Sequence, residues 1–556
     1  MMKQSYKLIL IFIILFHTIN SLIVIFQDNT PMIYDIGDAF FESKLLLESF
    51  MSGRINNILS TINNIGIPFN PPFPKLGSVL FYFIFGFNND IAIFINLLFF
   101  TLLTISTYYL GKKIKDEQTG LIAAIITSFI PGIYSFSRIY LPTIILTSTI
   151  IIITTLLLYS KNLKSTKISK LLGISLFLGI WTKITFGIYF LAILTGYLFS
   201  KEVKFNRLLT KKAILNILII IIIIIPAFFF WYFQKIDLIY TYGQETDKEF
   251  KSRDFDYKVF DSQNLKVYYR LIKNNIFFGS HFFYIISFLA IIGLILNSKF
   301  KLVIILGIII PIIFFSLIMP QNSRYILPII PLVAISASIT LRKIISNKLF
   351  VGKKLLITII IIIILINQFM FLKYKETYNS KNDLQEHIER GMIKARNITD
   401  SGQIMFNIIN KNDDYPGGTI FIIPSFSGEN LLIQYNNNQG KIYDIYSLIF
   451  CIGGKPRSRC SDTKKYESEF YEYILSGERI CKSEFVITLN ETYNHNLFGL
   501  APEPVVRNSQ KINSMIEKNI KNFENCKKNY TLIKKFNIWR EDFGKYNLLI
   551  YKKTLI

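Results

Sequence analysis

A succession of apolar runs limits what this chain can become, among them Leu8–Phe26, Ile91–Leu110, Ala213–Trp231, Leu302–Met319 and Leu355–Phe371. A helix needs about 20 apolar residues to cross the hydrocarbon of a bilayer. Soluble domains do not carry this many such runs, and the sequence therefore predicts an α-helical polytopic membrane protein. The short polar connections give its sidedness. Basic residues gather at 111–117, 160–168, 201–212, 298–301 and 342–354. Cytoplasmic loops are enriched in Lys and Arg, so these five connections and the short basic stretch Met1–Lys7 are read as cytoplasmic. The formal net charge of +25 belongs largely to this pattern and does not indicate a nucleic-acid partner.

Spans are expected near 8–26, 91–110, 118–135, 143–159, 169–182, 185–200, 213–232, 280–297, 302–319, 325–341 and 355–372, about 11 transmembrane helices. The first is read as a retained span, since it lacks a small-x-small cleavage site. Phe73–Phe87 is apolar but interrupted by Pro74, Lys75 and Gly77. If it crossed, Lys112, Lys113 and Lys115 would fall outside, so it is read as an interfacial or re-entrant helix. Two domains follow: a transmembrane domain at 1–372, with outside loops at 27–89 and 233–279, and an extracytoplasmic soluble α/β domain at 373–556. In the second domain helices are expected at 383–395 and 510–522, with strands at 419–423, 441–446, 484–489, 531–539 and 545–552.

All four cysteines, Cys451, Cys460, Cys481 and Cys526, lie in that last domain. An even number on the outer side points to disulfides in an oxidising compartment. Three pairings are open, and proximity favours Cys451–Cys460 with Cys481–Cys526. The alternatives are free thiols or, less in keeping with the absence of a C-x-x-C pair, zinc.

The sequence holds no zinc motif, phosphate-binding loop, nucleophile elbow or nucleotide-binding glycine fingerprint. It has four histidines: His17 in the first span, His281 near the outer face, and His387 and His495 in the last domain. An interfacial or packing role for His281 is the default. The chemistry-bearing residues that remain lie at the outer rim. Asp35 and Asp38 fall in Tyr34-Asp35-Ile36-Gly37-Asp38, as solvated loop acids, a cap ahead of Ala39, or catalytic groups. Arg138, Lys183 and Arg324 sit in tight outside turns, against the positive-inside pattern. Singly they could snorkel to headgroups. Together they could hold a lipid-linked phosphate, with a carboxylate nearby as general base.

At these residues the chain resembles the GT-C glycosyltransferases that use polyprenyl-phosphate sugars, above all the protein O-mannosyltransferase and aminoarabinose-transferase-like group, glycosyltransferase family 39/83. The resemblance spans roughly 8–345. Its marks are Asp38 followed by Gly53, Pro71-Pro72-Phe73 through Phe85-Gly86, Gly179 through Lys183 to Phe186, and Arg324-Tyr325-Ile326-Leu327-Pro328-Ile329-Ile330-Pro331. Thr143 departs from the family, which often carries an acid there, as does Asn70, where relatives often have His or Lys before Pro-Pro. The resemblance implies a GT-C fold and a membrane glycosyltransferase of the plasma membrane. It would move a sugar from a polyprenyl-phosphate carrier to a protein, lipid or glycan acceptor on the outer face. Asp38 would be the base. Arg138, Lys183 and Arg324 would contact donor phosphate, with Asp35, Asn70 and Tyr325 as further substrate-binding candidates. No cofactor or divalent metal is expected. The alternative is a non-catalytic lipid-phosphate-sugar binding protein or flippase on the same scaffold.

Overall fold

The computed structural model describes residues 2–27, 34–65, 70–203, 205–237, 239–240, 266, 268–277, 280–297, 299–318, 323–346, 419–422, 441–444, 485–489, 521, 523–540 and 544–553. They fall into two compact units. One comprises Met1–Gln27, Ile67–Gly243 and Asp256–Ile393, the other Asp28–Gly66, Gln244–Phe255 and Lys394–Ile556.

Helix α1 (Met2–Gln27) belongs to the first unit, and α2 (Tyr34–Met51) and α3 (Ile55–Asn64) to the second. The first unit continues with α4 (Phe73–Phe85), α5 (Asn89–Ala92), α6 (Phe94–Ile114), α7 (Glu117–Phe129), α8 (Pro131–Phe136) and α9 (Thr143–Tyr159). Then come α10 (Thr166–Ile180), α11 (Phe186–Leu198), α12 (Phe205–Leu208) and α13 (Lys211–Ala227). It closes with α14 (Ser280–Leu296), α15 (Lys301–Ile318) and α16 (Ile330–Ser346). Four segments, Tyr6–Phe26, Asp90–Ile114, Lys211–Lys235 and Leu327–Ser346, are long and apolar enough to cross a membrane, and five more are shorter apolar helices. The chain is a multi-pass membrane protein.

The isoleucine runs of α13 would favour strand in water. In hydrocarbon the helix prevails, because it alone satisfies every backbone group within one segment. Hydroxyls inside the bundle follow the same rule. Thr104, Thr107, Thr147, Thr149, Thr154 and Thr155 each donate to the carbonyl four residues back, at 2.7–3.0 Å. Small residues let helices cross closely: a Cβ on Gly111 of α6 would lie 2.8 Å from Gly120 Cα of α7. Large apolar side chains such as Phe12, Ile222 and Phe288 face outward, as lipid contact requires.

The expected span at 118–135 is two helices. Pro131 opens α8 after a break at Ile130, since proline cannot supply the amide that would continue α7. The segment read as interfacial or re-entrant forms helix α4, 13 residues long. The span expected at 355–372, the helix at 383–395 and most of 233–279 lie outside the described residues.

In the second unit α2 ends with Gly53 in the left-handed region (φ +66), a conformation glycine adopts without strain. A mixed five-stranded sheet is built from β1 (Thr419–Ile422), β2 (Lys441–Asp444), β3 (Phe485–Leu489), β4 (Tyr530–Arg540) and β5 (Gly544–Lys553), in the order β2-β1-β3-β5-β4. Strand β1 runs parallel to β2 and β3, whereas β5 is antiparallel to β3 and β4. All five strands lie where the sequence places them. Of the helix expected at 510–522 only residue 521 is described, and 523–526 are helical just beyond it.

Candidate functional site

The turn between α10 and α11 carries Lys183. Trp181 ends α10, its indole N–H donating to the Ala227 carbonyl at 3.1 Å. The Phe186 amide donates to the Lys183 carbonyl at 3.0 Å and starts α11. Gly179 makes the turn possible, because a Cβ there would clash with the Phe186 ring, standing 2.6 Å from its Cζ and closer still to Cε2. This gives a physical reason for the Gly179-to-Phe186 spacing.

Lys183 is buried, and its Nζ lies 4.6 Å from the centroid of the Tyr325 ring. The guanidinium of Arg324 stands 5.6 Å from the same centroid. Two cations therefore share one aromatic ring, an arrangement electrostatically favourable to each ammonium or guanidinium group. The ring is fixed from behind. It stacks on Phe315 at 5.6 Å and 16°, and Tyr189 Oη donates to the Tyr325 carbonyl. The turn Ser323–Tyr325 packs against a π-helical turn, Leu271–Ile276, which in turn packs against α8. There Gly132 admits Ile276, whose Cα would lie 2.9 Å from an added Cβ.

Arg138 follows α8 and has a different set of neighbours. Its Nε donates to Ser21 Oγ of α1 at 3.2 Å, and its guanidinium lies 4.8 Å from the Tyr134 ring centroid. Among the described residues its buried Nη2 has no hydrogen-bond partner. Burial pulls the guanidinium down to about 10, with the Tyr134 hydroxyl opposing the shift, so it stays charged at neutral pH. Asn96 of α6 braces this turn by donating to the carbonyls of Ile139 and Leu141. His17 is enclosed by Phe16, Phe100, Phe129 and Tyr134, a packing environment.

Two buried lysines escape sequence reasoning. Lys75, in the first turn of α4, donates to the Asn70 carbonyl at 3.3 Å. The next turn of chain is docked on the Lys183 loop, because the Phe73 amide donates to the Trp181 carbonyl at 3.1 Å. The part of Asn70 seen to act is thus its backbone oxygen. Lys235 lies 3.5 Å from the Trp231 ring centroid. Trp231 belongs to a second π-helical turn, Phe228–Tyr232, whose Tyr232 hydroxyl donates to the Ile180 carbonyl at 3.0 Å. The available signals were a lysine closely following Pro-Pro and a Trp/Lys pair four residues apart on a helix.

Asp35 and Asp38 lie on the first two turns of α2 rather than in a loop, because that helix begins five residues earlier than the expected Ala39 start. They belong to the second unit, whereas the cations above belong to the first. His281 opens α14 and is exposed. Thr143 is the first residue of α9 and buried. Cys526 is disulfide-bonded. Cys451, Cys460 and Cys481 lie outside the described residues. Among the described residues no group of three His, Cys, Asp or Glu side chains could hold a metal ion.

Residues 70–231 match the family described as dolichyl-phosphate-mannose-protein mannosyltransferase. This stretch contains Asn70, Lys75, Arg138 and Lys183. No curated protein matches the chain in sequence. The fold is similar to that of ArnT from Cupriavidus metallidurans. In the apo crystal structure the TM-score is 0.58 at 12% identity, covering 99% of this chain and 98% of that one. In the structure bound to undecaprenyl phosphate it is 0.58 at 10% identity, covering 98% of each chain.

Proposed function

We propose that this chain, a member of the GT-C glycosyltransferase superfamily, transfers a sugar from a polyprenyl-phosphate carrier to an acceptor on the outer face of the plasma membrane. The observation that carries the reading is the convergence of Lys183 and Arg324 on the Tyr325 ring, on a loop to which the Pro71-Pro72 segment is docked. The carrier's phosphate needs cations held in a low-dielectric site, where each contact is worth more than in water. Arginine supplies a fork for phosphate oxygens and lysine a point charge. Lys183 and Arg324 are the proposed phosphate ligands, with Arg138 and Lys75 as further cations of the site.

The reaction inverts the sugar. An acceptor hydroxyl or amine attacks the anomeric carbon, and the bond from that carbon to the phosphate oxygen breaks. The polyprenyl phosphate leaves with the electron pair, its charge met by the cations. The acceptor's proton passes to the Asp38 carboxylate, the base that the resemblance assigns. The sheet domain on the outer side is proposed to present the acceptor.

The reading is tested in membranes with a panel of radiolabelled polyprenyl-phosphate sugars. Label should pass to protein, lipid or glycan with the wild-type chain and be lost with Asp38→Asn. Carrier binding without transfer of any sugar in the panel would point instead to a binding protein or flippase.

A further inference from the structure

At the opposite ends of these helices is a cavity of about 410 Å³ that the transfer reaction does not use. Lys183 precedes α11 and Tyr197 lies at its other end, about 20 Å away along a helix of that length. Four connections converge on the cavity: Lys113 from the end of α6, Lys161, Asn162 and Lys164 from the α9–α10 loop, Glu202 after α11, and Phe300 before α15. All lie on the face that the positive-inside pattern assigns to the cytoplasm.

A lysine in a cytoplasmic loop ordinarily serves topology alone. Here three lysines against one glutamate line a single hollow, leaving it strongly positive. The hollow is built rather than incidental. Lys161, Asn162 and Leu163 are three successive non-glycine residues in the left-handed region, with φ of 55°, 59° and 60°. Such a run is unfavourable for L-residues and persists only where its surroundings hold it. Asn216 donates to the Leu163 carbonyl at 2.6 Å, and Ser160 Oγ accepts from the Leu163 amide at 3.1 Å. The Tyr197 hydroxyl donates to Asn162 Oδ1 at 3.4 Å, which leaves the amide NH₂ to donate elsewhere. Lys113 is steadied over the Tyr159 ring, 5.0 Å from its centroid. Beside the cavity, Leu198 and Phe199 turn apolar surface outward, Phe199 with 73% of its area exposed, as a wall that acyl chains could follow.

We infer that this cavity binds the phosphodiester headgroup of an anionic phospholipid of the inner leaflet. The lysines take the phosphate, and Glu202 accepts from a headgroup hydroxyl. A soluble phosphate source shares this chemistry without needing the apolar wall.

The test uses the purified full chain in nanodiscs of phosphatidylcholine, with or without phosphatidylglycerol. Bound phosphatidylglycerol is counted by native mass spectrometry, and the thermal midpoint is followed in parallel. The wild type should retain phosphatidylglycerol and gain stability from it. A Lys161→Gln/Lys164→Gln chain should retain about tenfold less, each basic residue near such a surface adding to lipid attraction. Glu202→Gln, which keeps an acceptor oxygen but removes the negative charge from the hollow, should retain more, a gain that misfolding does not produce. Equal retention by all three chains overturns the site. If inorganic phosphate in pure phosphatidylcholine raises the wild-type midpoint as much as phosphatidylglycerol does, the lipid assignment is overturned.

Discussion

The two ends of the helical bundle treat their charges in opposite ways. At the basic-loop end, apart from the lysine-lined hollow, half-exposed charges form pairs. Lys112 Nζ meets Glu117 Oε1 at 2.7 Å, and Arg342 Nε meets Asp116 Oδ2 at 2.9 Å, fastening α16 to the α6–α7 hairpin. At the other end Lys75, Arg138, Lys183 and Lys235 are buried, and three of them rest on aromatic rings. Exposed pairs are worth about 0–1 kcal/mol and tolerate loss. A buried cation carries a desolvation cost that a fold retains for a purpose. The purpose proposed here is an anionic substrate group.

That contrast can be broken by substitution. The largest effect is expected from Lys183→Ala or Arg324→Ala, each lowering sugar transfer about 100-fold, the scale on which losing one preorganised charge-stabilising group acts. Initial rates with the chain in native-like membranes would check it, and rates within twofold of wild type would remove these residues from the site.

A second substitution works through the fold. Asn96→Leu strips the Ile139 and Leu141 carbonyls of their donor. An unsatisfied buried group costs about 1–3 kcal/mol, so the thermal midpoint should fall. Transfer should fall with it, because the turn that presents Arg138 loses its brace.

Paired charges at the other end should matter least. Asp116 caps α7, accepting from the Thr119 amide at 2.8 Å and from the Thr119 hydroxyl at 2.7 Å. Burial pushes this carboxyl up, but the two Thr119 bonds and Arg342 together hold it below its ordinary value of 3.8. Its contribution is therefore present above that ordinary value and is lost as pH falls through the lowered one. Asp116→Asn keeps the cap, since Asn serves there as well as Asp, and gives up only the charge paired with Arg342, so it should cost no more than about 1 kcal/mol near neutrality and leave transfer unchanged. The gap from wild type should close only in strongly acidic solution, as thermal melts across pH would show.

What could be read from sequence tracks what each end needs. The lysine-rich connections and long apolar runs announce themselves, since topology is written in composition. The strands of the C-terminal sheet are equally plain, their β-branched and aromatic clusters bounded by turn residues. Lys183, Arg324 and Tyr325 were legible as residues through their motif, but that two cations share one ring was not, because it depends on how α10, α11 and α15 pack. The span expected at 118–135 runs through Pro131, where the chain in fact breaks between two helices. In the sequence Lys75 reads only as an interruption of the Phe73–Phe87 run, and Lys235 does not stand out, because their burial depends on how distant segments pack. The left-handed turn at Lys161–Leu163 has no glycine to betray it.

The central claim separates binding from chemistry. Asp38 and the cations are assigned different tasks, and they lie in different compact units. The most direct measurement is polyprenyl-phosphate binding and sugar transfer on the same preparations of wild type, Asp38→Asn and Arg324→Ala. The account predicts that Asp38→Asn binds the carrier as tightly as wild type but does not transfer, while Arg324→Ala loses affinity for it. Undiminished transfer by Asp38→Asn, or undiminished carrier affinity in Arg324→Ala, would contradict it.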